Sequence, residues 1–377
     1  MFIFWSKLLE INLGHLRENL KAIKRLLPEG VSILPVIKND AYGHGLLEVA
    51  KVLSQEKVFG FGISEIYEAQ LLRKAGFIHP LILLSGFEKD WLPEIRNLRV
   101  IPVVTNELTL EWLIDFTLKK ATSLEFHLKI ETGMHRFGYP IEELPSLIYK
   151  LKENPQIQLT GLMTHLASAE NPECELFHSQ VELFTKAMHF LQQAGINLKF
   201  IHFCNSAAII FNHKGFIGNL VRPGIALYGS YPSNKARAYL KLKPVMTFKS
   251  KVVEIKKLKK GESAGYGPTF YAKRDTILGI IPVGYGDGYP RILSNKGFAV
   301  IRGKRVPVVG TISMKALFVD LTEIENPQIG EEIILLGGKN EEVPADELAQ
   351  LAQTISYELF CNLGKSNPKK YIEKDYV

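Results

Sequence analysis

Residues 31–45 read VSILPVIKNDAYGHG. Val31, Ile33, Leu34, Val36 and Ile37 make an apolar run of the length and character of a buried strand, and the run ends on Lys38 before a Tyr-Gly-His-Gly turn. A lysine on a dry strand has its charged form disfavoured, so the placement calls for a reason beyond packing. What surrounds the run decides that reason.

Seven more apolar runs of strand length follow, at 58–63, 80–85, 99–104, 124–130, 157–163, 198–203 and 219–222, with longer amphipathic stretches between them. SEIYEAQLLRKAG (64–76) is such a helix, with Ser64 as its expected cap and Gly76 at its end. Eight strands with crossovers inside about 200 residues predict a (β/α)8 TIM-type barrel, an open doubly wound sheet being the alternative. Beyond residue 230 the segments turn β-rich and are punctuated by Gly and Pro, which predicts a mainly antiparallel β domain with one late helix over 345–361. The chain thus divides into 1–230 and 231–377, joined by a linker at 228–239.

The 377 residues are 46% hydrophobic and 23% charged, near globular averages, so neither disorder nor a fibrous repeat is indicated. The net charge of +7 is spread along the chain, with knots at 254–262 and 367–374 that read as solvated faces or edge-strand lysines. Neither knot interleaves aromatics with its charges, so no nucleic-acid partner is expected. Cys174, Cys204 and Cys361 are isolated, which argues against a disulfide framework or structural zinc and for a reducing, cytoplasmic setting. The N-terminal MFIFW is interrupted by Ser6, Lys7 and Glu10, and no run has the length of a membrane span.

In a (β/α)8 barrel, chemistry gathers at the C-terminal ends of the strands. Lys38, Arg136, His165, Asn205, Ser206 and Arg222 all follow such ends. Each has a bland reading: a snorkelling cation, a core histidine, a helix cap. Their coincidence on one rim favours function. A desolvated lysine amine can form an imine with a carbonyl, and the loops after strands seven and eight, holding Ser206 and RPGI (222–225), suit a phosphate. A lysine facing a phosphate pocket suggests pyridoxal 5'-phosphate (PLP) and equally fits an imine-forming aldolase.

Seven motifs occur in order between residues 5 and 363: VIKNDAYGHG, IETGMHRFG, GLMTHLASAE, NSAA, VRPGIALYG, GYGPTF and GYGDGYPR. Together they resemble the alanine racemase family, PLP enzymes with a barrel followed by a β domain. The resemblance implies interconversion of L- and D-alanine by two bases, with D-alanine destined for peptidoglycan. Lys38 would hold PLP as a Schiff base and act as one base; Tyr266, entering from a partner subunit, would be the other, which implies a homodimer with active sites at its interface. Tyr42, Ser206, the backbone of Gly224 and Ile225, and Tyr357 match the phosphate-binding group. Arg222 matches the arginine facing the pyridine nitrogen, and His165 the histidine linking it to the tyrosine. Arg136 and the backbone of Met314 match the substrate carboxylate site, and Lys129 falls where many members carry a carbamylated lysine.

The chain departs from the family pattern at the substrate corridor. Thr311 and Lys315 stand where an arginine and an aspartate are usual, Glu170 replaces a commoner aspartate, and GKSNPKKY lacks the usual arginines. Rival readings are therefore a racemase of serine or of several small amino acids, and a PLP-binding protein without turnover. Arg222 argues against a PLP decarboxylase, which usually places a carboxylate at the ring nitrogen. His127, His135, His165 and His202 lack ligand spacing with acidic partners, so no metal is expected.

Overall fold

The computed structural model describes residues 6–211 and 218–373. MFIFW at 1–5 and the last residue of the basic knot at 367–374 lie outside the described residues. After a first strand β1 (Lys7–Asn12), eight short parallel strands follow: β2 (Ser32–Ile33), β3 (Phe61–Ile63), β4 (Leu81–Leu83), β5 (Val100–Val104), β6 (Leu124–Lys129), β7 (Ile157–Met163), β8 (Phe200–His202) and β9 (Leu220–Val221). β3 to β8 pair consecutively and β2 pairs with β9. Backbone bonds close the ring: Ile37 N–H donates to Gly62 O, and Arg222 N–H to Cys204 O. Each stave falls within one of the eight predicted runs.

Side chains alternate along the staves as a period of two requires. Leu81 and Leu83 pack outward with the helices, whereas Ile82 joins Leu34, Val103, Met163 and Leu220 in a separate buried cluster fed by five staves. This cluster fills the barrel interior, and the polar rim sits above it.

Three local expectations differ in the structure. The run 31–38 pairs as a strand only at Ser32–Ile33, with an isolated bridge at Val36, because Pro35 has no N–H to donate. The helix spans Ile66–Lys74 with Glu65 at its N-cap, and the Ser64 N–H, the Glu65 N–H and the Ser64 hydroxyl all go to the Glu68 carboxylate, so Ser64 is not the cap. The late helix is two, Ala345–Leu351 and Ser356–Ser366, broken where Gln353 takes a left-handed φ of 55°. The segment 228–239 between the two halves is packed: Tyr228, Tyr231 and Ala236 are buried, and the Tyr228 hydroxyl donates to Val36 O.

The second half holds β10 (Met246–Lys251), β11 (Glu254–Leu258), β12 (Ser263–Ala264), β13 (Phe270–Tyr271), β14 (Thr276–Ile281), β15 (Phe298–Ile301), β16 (Lys304–Val309), β17 (Leu317–Asp320), β18 (Glu332–Leu336) and β19 (Lys369–Ile372). Nine strands form one sheet in the order β11-β14-β17-β16-β15-β18-β10-β1-β19, antiparallel except where β1 lies parallel to β19. The first and last described strands therefore lie side by side. Both basic knots lie on the edges of this sheet, β11 and β19, where lysines discourage pairing with another chain.

Candidate functional site

Lys38 follows the first stave and opens a turn of unusual backbone. Asn39, Asp40, Ala41 and Tyr42 all have φ between 53° and 55°, four consecutive non-glycine residues in the left-handed region. Each such residue costs about 1 kcal/mol, less for Asn and Asp, so the turn persists only because its surroundings hold it. The Asp40 carboxylate accepts the Leu46 N–H at 2.7 Å and pairs with Lys369 at 2.9 Å. Asn39 N–H donates to the buried Glu68 carboxylate. Gly43, at φ 78°, lies against the helix Ser356–Ser366; a Cβ there would come within 2.3 Å of Phe360 O.

That turn delivers Tyr42 to the end of β9. Its ring packs 4.9 Å from Tyr228 and 5.8 Å from Tyr357, and burial raises both the Tyr42 and Tyr357 phenols, keeping them protonated donors. A Cβ on Gly224 would sit 2.6 Å from the Tyr42 hydroxyl, so this glycine is required by close approach. The Ser206 hydroxyl accepts the Gly224 N–H at 3.0 Å and the Ala226 N–H at 3.3 Å, leaving its own proton to donate, and Ile225 lies between them. The Ser206 and Tyr42 hydroxyls, the Gly224–Ile225 backbone and, through the Tyr42 ring, Tyr357 thus gather in one cradle.

Beside the cradle the rim is cationic. Burial, then the Arg136 guanidinium, lowers Lys38; the Glu68 carboxylate works against them. Lys129 is buried, its ammonium 5.5 Å from the centre of the Phe137 ring, and desolvation followed by Arg136 and Arg222 pulls it down to about 7. Burial first, then Arg222, Lys129, Arg136 and Lys38, hold His165 well below the usual imidazole range. Arg222 is buried, and desolvation brings it down to about 10, still cationic at neutral pH.

Arg222 is held from below by groups whose role sequence reading missed. It donates to Thr164 O at 2.7 Å, to His202 O and to His202 Nδ1 at 3.1 Å. Because Arg222 can only donate, His202 Nδ1 is the acceptor and its Nε2–H donates to His127 Nδ1, 2.8 Å away. Burial keeps both imidazoles neutral. A histidine in the middle of an apolar strand, as in LEFHLKI and LKFIHF, was the available signal. Glu68 was also missed; it gave none, since in SEIYEAQ it reads as a first-turn helix acid.

Not every expected residue is gathered here. Tyr266, in the turn between β12 and β13, is 74% exposed, and Met314, after β16, is 58% exposed. Met314 O accepts the Gly286 N–H, while the Met314 N–H has no partner among the described residues. Lys315 reaches back to Asp287, which also pairs with Lys7 at 2.6 Å; the Thr311 and Thr269 hydroxyls are 3.0 Å apart. Glu170 bears on the rim through its negative charge, which adds to burial and Asp346 in raising the Tyr357 phenol. Among the described residues no group of His, Cys, Asp and Glu is arranged to hold a metal ion, and no helix is long and apolar enough to cross a membrane.

Residues 11–232 match the alanine racemase N-terminal domain family and residues 245–371 the alanine racemase C-terminal domain family. The chain is 38% identical to an alanine racemase of Syntrophobacter fumaroxidans, covering 96% of each chain. It is 39% identical to one of Thermodesulfovibrio yellowstonii, covering 97% of this chain and 98% of that one. Among solved structures, alanine racemase of Clostridium difficile 630 superposes with a TM-score of 0.90 at 33% identity, covering 98% and 96%. The Bacillus anthracis alanine racemase with bound L-Ala-P also gives 0.90, at 30% identity, covering 99% and 97%.

Proposed function

The chain belongs to the alanine racemase family and is an alanine racemase, and from that premise we propose that it acts with PLP through Lys38 and Tyr266 as a two-base pair. The carrying observation is the rim itself: a desolvated lysine beside a donor cradle that a single Cβ at Gly224 would fill. The residues fit the cofactor. Tyr42, Ser206, the Gly224 and Ile225 backbone, and Tyr357 would hold its phosphate, whose charge would offset the surplus of Lys38, Lys129, Arg136 and Arg222. When bound, PLP supplies an imine-linked electron-withdrawing ring that weakens the α C–H bond of the amino acid.

The side chains do the rest. Lys38, as the neutral amine that burial favours, takes or returns the α-proton on one face, and the Tyr266 hydroxyl does so on the other. Arg222 can only donate, so it would leave the pyridine nitrogen it faces unprotonated, which would make the cofactor a weaker electron sink and favour racemisation over transamination. His165, kept neutral, would link Arg222 to Tyr266. Arg136 and the Met314 N–H would bind the substrate carboxylate. A neutral amine is the form that captures CO2, so the depressed Lys129 suits carbamylation, and the resulting anion would orient Arg136.

Tyr266 and Met314, exposed on the β domain, support a homodimer in which one subunit's β domain completes the partner's barrel. The division at 1–230 and 231–377 follows, with β1 crossing into the second unit. A cytoplasmic enzyme supplying D-alanine for peptidoglycan is the setting we propose. The deciding experiment incubates purified protein and PLP with L-alanine and resolves the enantiomers over time; PLP bound without any D-alanine formed would refute the reading. The same assay run on L-serine and other small amino acids measures what the Thr311, Lys315 and Glu170 departures do to substrate range.

A further inference from the structure

Glu68 is a fully buried carboxylate to which no role has been given. One of its oxygens accepts the Asn39 N–H; the other accepts the Ser64 N–H at 2.8 Å, the Glu65 N–H at 3.1 Å and the Ser64 hydroxyl at 3.4 Å. It therefore ties the residue after Lys38 to the segment that follows β3, the neighbouring stave. Burial raises this carboxyl and the three backbone donors pull against that; with the hydroxyl they fill the hydrogen bonds that a buried charge requires. Its partner, Asn39, is the first residue of the left-handed turn, which would otherwise relax to a less strained backbone and swing Lys38 with it.

We propose that Glu68 is a positioning residue for the racemase reaction: by holding the Asn39 N–H it fixes the left-handed turn and so the aim of the Lys38 amine. Its charge also reaches that amine. The groups acting on Lys38 are Arg136, Glu68 and Cys361, and Lys129 and His165 share the same rim. Among them Glu68 is the one carboxylate. Asp40, on the same turn, directs its charge to Lys369 instead.

Glu68→Gln removes both the charge and the Asn39 bond while sparing the rest of the network, because the amide has a single oxygen. That oxygen is best used on the Ser64 and Glu65 donors, which turns the NH2 toward the Asn39 N–H and breaks that bond alone. The inference rests on Lys38 being the working amine, so it is tested in the cofactor-free full chain, where a failed racemase assay and a failed Glu68 test remain distinguishable. Lys38 is labelled with trinitrobenzenesulfonate across a pH series and quantified by peptide mass spectrometry, alongside amide hydrogen exchange.

In Glu68→Gln the Lys38 labelling midpoint is expected to fall by about one pH unit, the scale on which a lost opposite charge acts. Exchange at Asn39 should quicken by about tenfold or more, as for a lost charge-assisted bond. Asp40→Asn should leave the Lys38 midpoint in place. An unmoved midpoint in Glu68→Gln overturns the proposal, as does an equal shift in Asp40→Asn, which would signal generic loosening. A variant that fails to fold leaves the native chain to decide: an Asn39 amide exchanging faster than those of Ile33 and Leu34 also overturns it.

Discussion

The barrel rim around Lys38 and the turn around Tyr266 carry the two groups proposed to act on opposite faces of one carbon, yet they are built in opposite ways. Lys38 heads four left-handed residues held by Glu68, Asp40, Lys369 and the Gly43–Phe360 contact. Tyr266 stands between Gly265 and Gly267, both at positive φ, and a Cβ on Gly267 would meet nothing within 4 Å. One half is strained and over-determined within a single chain. The other is open. The difference teaches that strain is held where a side chain must be aimed within its own chain, whereas Tyr266, proposed to be aimed by a partner subunit, sits exposed on a glycine-flanked turn.

The sharpest way to break the comparison is Lys38→Ala. Loss of both the base and the imine is expected to abolish racemisation, by about three orders of magnitude or more, together with the visible imine absorbance. A surviving absorbance band would mean that another lysine holds the cofactor.

Tyr266→Phe comes next, with racemisation falling by about two to three orders of magnitude. α-Hydrogen exchange should survive from one enantiomer and collapse from the other. Because the residue is 74% exposed, unfolding of the isolated chain should change by less than about 0.5 kcal/mol. Equal residual exchange from both enantiomers, followed by deuterium incorporation, would defeat the two-base assignment.

Gly224→Ala places a methyl within 2.6 Å of the Tyr42 hydroxyl, backed by the packed Tyr228 and Tyr357 rings. Overpacking should cost about 1–3 kcal/mol in denaturant unfolding and weaken PLP binding by about tenfold or more. Unchanged binding would show that phosphate does not use this cradle.

The smallest effect concerns Lys129, pulled down to about 7 in the fold and near its ordinary value when unfolded. Between those values the unfolded state binds the extra proton, so stability of the cofactor-free protein rises with pH from about 7 toward 10, and the penalty is greatest below 7. Lys129→Met should flatten that rise, while the slope owed to Lys38 persists. Urea midpoints across the pH series measure it, and an unaltered slope would remove Lys129 from the account.

Much of the fold was legible because its signals are local. Apolar runs and intervening amphipathic stretches announce staves and crossovers, and the placement of Lys38, Ser206 and Arg222 after three such runs pointed to one rim. The edge lysines of β11 and β19 were legible for the same reason. Ser64 misled because capping was decided by the reach of Glu68, and the late helix was read as one because Gln353 carries no helix-breaking signature.

By itself, then, the sequence determined the order of strands and helices, the chemistry gathered at the rim and the family to which the chain belongs. Those follow from periodicity, residue type and motif register, which are properties of neighbours along the chain. Only the tertiary structure decided that β1 joins β19, that four ordinary residues after Lys38 turn left-handed, and that His127, His202 and Glu68 stand behind the rim. Those depend on hydrogen bonds and close approaches between residues far apart in sequence, whose energies can outweigh any local backbone preference.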